Sequence, residues 1–205
     1  MHINWNTSFM GVLIVEGFLI PNIYEIQLKL ELVNDENLTR EVSFERMGFM
    51  LSSQMHNSIF VNDENPDLKK IFESHENNVI LFPDDPTDHA VAIALYLKLN
   101  NIIEGNMLVR EVKVKSYQGN EIQYVIEDES EIGPFDREDA WWLDAEPNTF
   151  DITDDVIMEY DWESLGMPWQ EESEADEADA EPEKSNVTPF KVITGGKEKD
   201  ADETD

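Results

Sequence analysis

Between Ile23 and Val33 the chain reads IYEIQLKLELV, with apolar side chains on every second position. Tyr24, Ile26, Leu28, Leu30 and Leu32 share one face, and Glu25, Gln27, Lys29 and Glu31 share the other. That alternation predicts a half-buried strand whose polar face looks at water. Upstream, Phe9 to Ile20 predicts a second strand, with Pro21-Asn22 as its turn. Downstream, Asn34-Asp35-Glu36-Asn37 supplies turn chemistry before the run Thr39 to Leu51, where Val42 and Phe44 alternate with Glu41, Ser43 and Glu45. Together the three runs predict an antiparallel meander.

The pattern then changes period. Asn65, followed by Pro66 and Asp67, is an N-cap with proline at the first helical position, and Leu68, Ile71, Phe72 and His75 line one face of the helix it opens. Val79 to Phe82 predicts a short buried strand. A second helix start lies at Asp85-Pro86-Thr87-Asp88, and the run Ala90 to Ile103 predicts the longest helix, stopped by Gly105. This helix is apolar around much of its circumference, so it is expected to lie against the sheet. Met107 to Tyr117 and Ile122 to Ile126 predict two closing strands joined through Gln118-Gly119-Asn120. Residues 1–127 therefore read as an α+β domain, with a mainly antiparallel sheet of five to seven strands and two helices.

Charge divides the chain. Residues 1–127 carry 9 Lys+Arg and 19 Asp+Glu; residues 128–205 carry 5 and 27, within a total net charge of -32 over 205 residues. From Asp128 to Glu183 the only basic residue is Arg137, against 22 acids. This shift predicts a boundary near residue 127 and a folded part, 1–127, that stands without the remainder. The stretch EESEADEADAEPEK, from Glu171 to Lys184, has too little apolar content to offset its ordering entropy, so 171–205 is expected to be a disordered acidic tail. Asn186 to Ile193 is a short apolar island inside it, laid out like a tethered binding motif or a chance patch.

The intervening 128–170 is acidic yet rich in aromatics, and holds four of the five tryptophans. Two roles compete for Phe135, Trp141, Trp142, Phe150, Tyr160, Trp162 and Trp169. They pack onto the domain as an extension, or they are anchors that fold on a partner while the acids steer toward its basic surface. Phe190 of the island belongs with the second role.

Enzyme chemistry leaves little trace. The chain has no cysteine, so disulfides, thiolate zinc sites, Fe–S clusters and cysteine nucleophiles are excluded. No nucleophile elbow, phosphate loop or paired-histidine metal motif occurs, and no cofactor is implied. Asp84-Asp85, Asp154-Asp155 and Asp63-Glu64 are carboxylate pairs without calcium-loop spacing. At the second helix start, His89, Asp85 and Asp88 can form a site, although Asp85, Thr87 and Asp88 also read simply as caps. Lys69, Lys70, Lys98, Arg110, Lys113 and Lys115 are the one basic cluster; Lys113 and Lys115 share a strand face, either solvated or paired with the acidic tail. No apolar run reaches the roughly 18 residues of a membrane span, and the surface repels phosphate backbones and anionic lipid.

These features lead to the expectation of a non-enzymatic acidic interaction factor that docks on a larger machine. Its partner would be a protein with a basic surface, such as nucleic-acid-handling or virion-assembly machinery. The alternatives are a DNA mimic and a single-stranded DNA-binding protein with an acidic autoinhibitory tail. In composition alone the chain is similar to accessory proteins of tailed bacteriophages: short, acidic, cysteine-free and rich in Asn and Asp. That resemblance transfers no site, and implies a cytoplasmic protein of a bacterium or a virus-infected host.

Overall fold

The computed structural model describes residues 1–15, 18–33, 37–74, 79–128, 132–138, 140–149 and 160–169. Met1–Glu171 forms one compact unit; a second unit, Glu172–Asp205, lies outside the described residues, and with it the expected tail and island. The expected α+β class is what the first unit adopts. Six strands make a single sheet in the order β4-β3-β1-β2-β5-β6.

Strands β1 (His2–Val15) and β2 (Phe18–Leu32) form a long antiparallel hairpin in register from His2↔Glu31 to Val15↔Phe18. The alternation of IYEIQLKLELV appears as predicted, with Tyr24, Ile26, Leu28 and Leu30 at most 2 % exposed. The expected turn at Pro21-Asn22 is not there: both residues lie inside β2, opposite Val12 and Gly11. Proline is tolerated because of its place in the ladder. The Ile23 carbonyl accepts from Tyr117 N–H on the β5 side, so Pro21, two residues earlier, faces that side beyond the last β5 pairing, Tyr24↔Ser116.

The expected strand Thr39 to Leu51 is also corrected. It is helix α1 (Asn37–Phe49), continued by a π turn over Met50–Gln54 in which Met55 N–H donates to the Met50 carbonyl. Ser43, Arg46, Met47 and Met50 are buried at helical spacing, and this longer period overrides the brief alternation of 41–45. Strand β3 (Ile59–Asn62), helix α2 (Leu68–Ser74) and strand β4 (Val79–Phe82) follow, with β3 parallel to both β1 and β4. Helix α3 (Asp88–Ile102) packs along the last two strands, of which β5 (Met107–Ser116) runs antiparallel to β2 and β6 (Tyr124–Ile126) antiparallel to β5.

One sheet face carries the main core, covered by α1 and α3. The opposite face has a small apolar cluster of Ile59, Val61 and Val79 with Leu68 and Ile71 of α2 packed on it; elsewhere on that face β2 shows its charged side chains. Helix α3 is buried on nearly all sides, Val91 to Leu95 without interruption. The sheet covers one side, and the chain beyond β6 supplies more of the cover. Phe135, Ala140, Trp141, Trp142 and Trp162 belong to the same core cluster as the strands. Among the described residues, no helix is long and apolar enough to cross a membrane.

Candidate functional site

The buried residues on the inner face of the sheet are apolar except at one corner, where Asn22 and Ser116 of the sheet and Asp88 above them are 1 %, 2 % and 7 % exposed. Their convergence follows from register. Asn22 and Tyr24 share the inward face of β2, Ser116 lies opposite Tyr24 on β5, and Asp88 drops onto them from the first turn of α3. Thr87 sets that last placement: its extended backbone and its hydroxyl, which accepts from Ala90 N–H at 3.2 Å, cap the helix.

The hydrogen bonds form a chain. Asn22 Nδ2 donates to Ser116 Oγ at 2.9 Å, and the Ser116 hydroxyl donates to Asp88 Oδ1 at 2.7 Å. Gly119 N–H donates to Ser116 Oγ at 3.0 Å, and Gln118 N–H to Asn22 Oδ1 at 2.9 Å. The serine hydroxyl is then saturated, accepting twice and donating once. Two polar atoms are left over: Asp88 Oδ2 and the Tyr24 hydroxyl are buried with no partner among the described residues. Burial pushes the Tyr24 phenol well above its ordinary value; the nearby Asn22 side chain offsets part of that rise and the Asp88 charge adds to it.

The loop beside this corner is strained. Gly119 to Ile122 makes a tight turn closed by Ile122 N–H on the Gly119 carbonyl at 3.1 Å, with Asn120 at φ 53° and Glu121 at φ 57°. Both central residues are left-handed, as a type I′ turn requires, yet Glu121 holds the position that glycine usually fills. A Cβ at Gly119 would collide with the Asp88 carboxylate, so any side chain there would have to displace that group.

A second polar centre has a structural character. Lys98 of α3 is 0 % exposed, and its Nζ donates to the carbonyls of Trp141, Asp144 and Glu146 at 2.8, 2.9 and 2.6 Å. Burial pushes Lys98 down to about 7, against the pull of Asp144 and Glu146. Arg46 of α1 donates to the carbonyls of Met167 and Ile102 and pairs with Glu104 at 2.9 Å. Its guanidinium lies 4.8 Å from the Trp162 ring centre and 3.9 Å from that of Trp169. Two buried cations thus fasten 141–146 and 162–169 to the helices.

The residues expected to anchor a partner take other places. Trp141, Trp142, Phe135 and Trp162 are at most 4 % exposed, and the three indole N–H groups donate to the carbonyls of Leu81, Phe135 and Ala145. Trp169 is half-buried against Arg46, and Tyr160 is exposed; Phe150 and Phe190 lie outside the described residues. Of the other candidates, Asp85 is exposed and accepts from Asn62, while His89 is half-buried against the Tyr124 ring at 5.6 Å. Asp88 alone turns inward. Lys113 pairs with Glu111 and Lys115 with Glu25, so acids of the sheet itself hold the two lysines. Asn22 and Ser116 carry one signal in the sequence: a polar residue on the inward parity of an otherwise apolar strand.

No protein-family model matches the chain, and no curated protein matches it in sequence. Among solved structures, an uncharacterized protein of Wolinella succinogenes is similar at 11 % identity and a TM-score of 0.46, over 63 % of this chain and 98 % of that one. The 6-pyruvoyl tetrahydropterin synthase of Plasmodium falciparum is similar at 11 % identity and 0.42, over 62 % and 96 %. That of Plasmodium vivax gives 11 % and 0.39, over 62 % and 97 %. Likeness at this level transfers neither residue nor reaction. The expected non-enzymatic interaction factor, with its DNA-mimic and single-strand-binding alternatives, is therefore weighed on the packing of this chain itself. That expectation is corrected, and the burial of its tryptophan anchors Trp141, Trp142 and Trp162 removes its main physical support.

Proposed function

We propose that the first compact unit binds a small polar molecule at the corner formed by Asn22, Tyr24, Asp88 and Ser116, and that the ligand presents N–H donors to Asp88. The observation that carries this reading is the unpartnered oxygen Asp88 Oδ2, on a residue 93 % buried by the 7 % that remains exposed. A buried carboxylate oxygen without a donor is costly, and native proteins keep such a group where something else completes it. An acceptor-only carboxylate calls for a donor, and the Tyr24 hydroxyl nearby can give or take a further bond. The strain at Asn120 and Glu121, held directly against this corner, supports the same reading, because strained backbone gathers at ligand sites.

The competing occupant is a buried water, which needs two to four polar partners and finds them here. Melting temperatures of the full chain with guanidinium, acetamidine and 2-aminopyrimidine as probes separate the two. The expected result is a rise with at least one probe that disappears in Asp88→Asn, a substitution that keeps the shape and removes the charge. If no probe moves the wild-type chain, or the variant responds equally, Asp88 holds water and the reading fails.

A further inference from the structure

Strand β1 has an edge that the described residues leave open. It pairs with β2 along its whole length but with β3 only at Val12 and Leu13. Met10 N–H reaches His56 Nδ1, and Val12 N–H reaches the Ser58 carbonyl, both away from β2. Backbone direction alternates along a strand, so the N–H and C=O groups of His2, Asn4, Asn6 and Ser8 also point away from β2. All four residues are exposed, and among the described residues nothing bonds to those groups.

The usual defences of an edge are short length, charge, proline or a bulge. This stretch has none of them: in a chain of net charge -32, residues 1–15 contain no Asp, Glu, Lys or Arg and no proline. The opposite edge, β6, is defended by its length of 3 residues. The core also runs thin along the open part of β1. Phe9 is 2 % exposed, but Ile3, Trp5 and Thr7, on the same inward face, are only half-buried, and Trp5 meets Phe44 edge-on at 5.6 Å.

We propose that this edge pairs with the same edge of a second copy of the chain, antiparallel about a two-fold axis, joining two sheets into one. An antiparallel edge is self-complementary in its hydrogen bonds, so an isologous contact satisfies both copies at once. A neutral strand is also the place where two chains this acidic approach with least repulsion. The register that pairs all four outward residues sets His2 opposite Ser8 and Asn4 opposite Asn6 of the other copy. It also brings the two Trp5 side chains face to face at the centre, where aromatic cross-strand pairs stabilise a sheet.

Sedimentation of the full chain, from low micromolar to its highest soluble concentration, tests this alongside amide exchange of residues 2–8. The expected result is twice the monomer mass, association that tightens as salt screens the acids, and protection of the Asn4, Asn6 and Ser8 amides that is lost on dilution. Asn6→Pro removes an outward N–H that the single chain does not use, and should yield a monomer with unchanged circular dichroism. Asn4→Glu with Asn6→Glu should do the same by setting carboxylates across the axis. A chain that stays monomeric throughout overturns the proposal, as does a dimer that survives both variants with these amides exchanging freely.

Discussion

Glu121 shows at the residue scale how much local conformation the molecule tolerates for the sake of one corner. Its φ of 57° places an ordinary side chain in the left-handed region. Glu121→Gly relieves that strain, and the variant is expected to gain about 1 kcal/mol in urea unfolding; a loss of stability would mean that the glutamate side chain makes a compensating contact. Lys98 presents a different balance. Three carbonyls surround its Nζ, and three N–H donors exist only on the ammonium form, while burial pushes its titration down to about 7. An unfolded lysine titrates near about 10.4. Between these values the unfolded chain binds more protons than the folded one, so the Lys98 contribution to stability rises with pH from about 7 toward 10. Lys98→Met should flatten that part of the profile, and should cost on the order of 3 kcal/mol near neutrality by leaving three carbonyls without a donor. Urea midpoints of both proteins across this range give the comparison, and parallel profiles would show that Lys98 does not titrate there.

At the scale of elements, periodicity was a reliable guide where an element was long and amphipathic. The β2 alternation, the α3 run with its Thr87 cap and the β5 pattern could all be read from the chain. Helix α1 could not, because five residues of alternation, Glu41 to Glu45, mimic a strand, while the spacing of Ser43, Arg46, Met47 and Met50 becomes visible only over a longer window. The aromatic segment beyond residue 127 was open to two readings because pattern cannot say what a tryptophan packs against. In the fold, Trp141 and Trp142 close the core over Phe82 and Phe135, and Lys98 and Arg46 hold the backbone on either side. A chain ending at Glu127 is therefore expected to lose cooperative unfolding and to bind a hydrophobic dye, since it exposes the apolar surface around Phe82 and strands the buried Lys98 charge. A chain ending at Glu171 should melt as the full protein does. Equal melting of the shorter chain would show that the segment is an appendage.

For the molecule as a whole, the net charge of -32 opposes compaction. The exposed pairs among the described residues, such as Lys115 with Glu25 and Arg110 with Glu31, are too well solvated to counter that repulsion. Sodium chloride rising from low to physiological ionic strength should raise the melting temperature, because the Debye length contracts to about 8 Å and repulsion is screened more than the short-range pairs are. A falling melting temperature would point to ion pairs as the dominant charge effect. The chain by itself determined the class of fold, the strand alternation, the long buried helix and the concentration of acid beyond residue 127, since each depends on local spacing or on simple counts. Only the tertiary structure decided that four tryptophans belong to the folded unit, that a lysine and an arginine are internal fasteners, and that Asn22, Tyr24, Asp88 and Ser116 meet. Those residues come from β2, α3 and β5, and their meeting depends on strand register and helix placement, which no local pattern encodes.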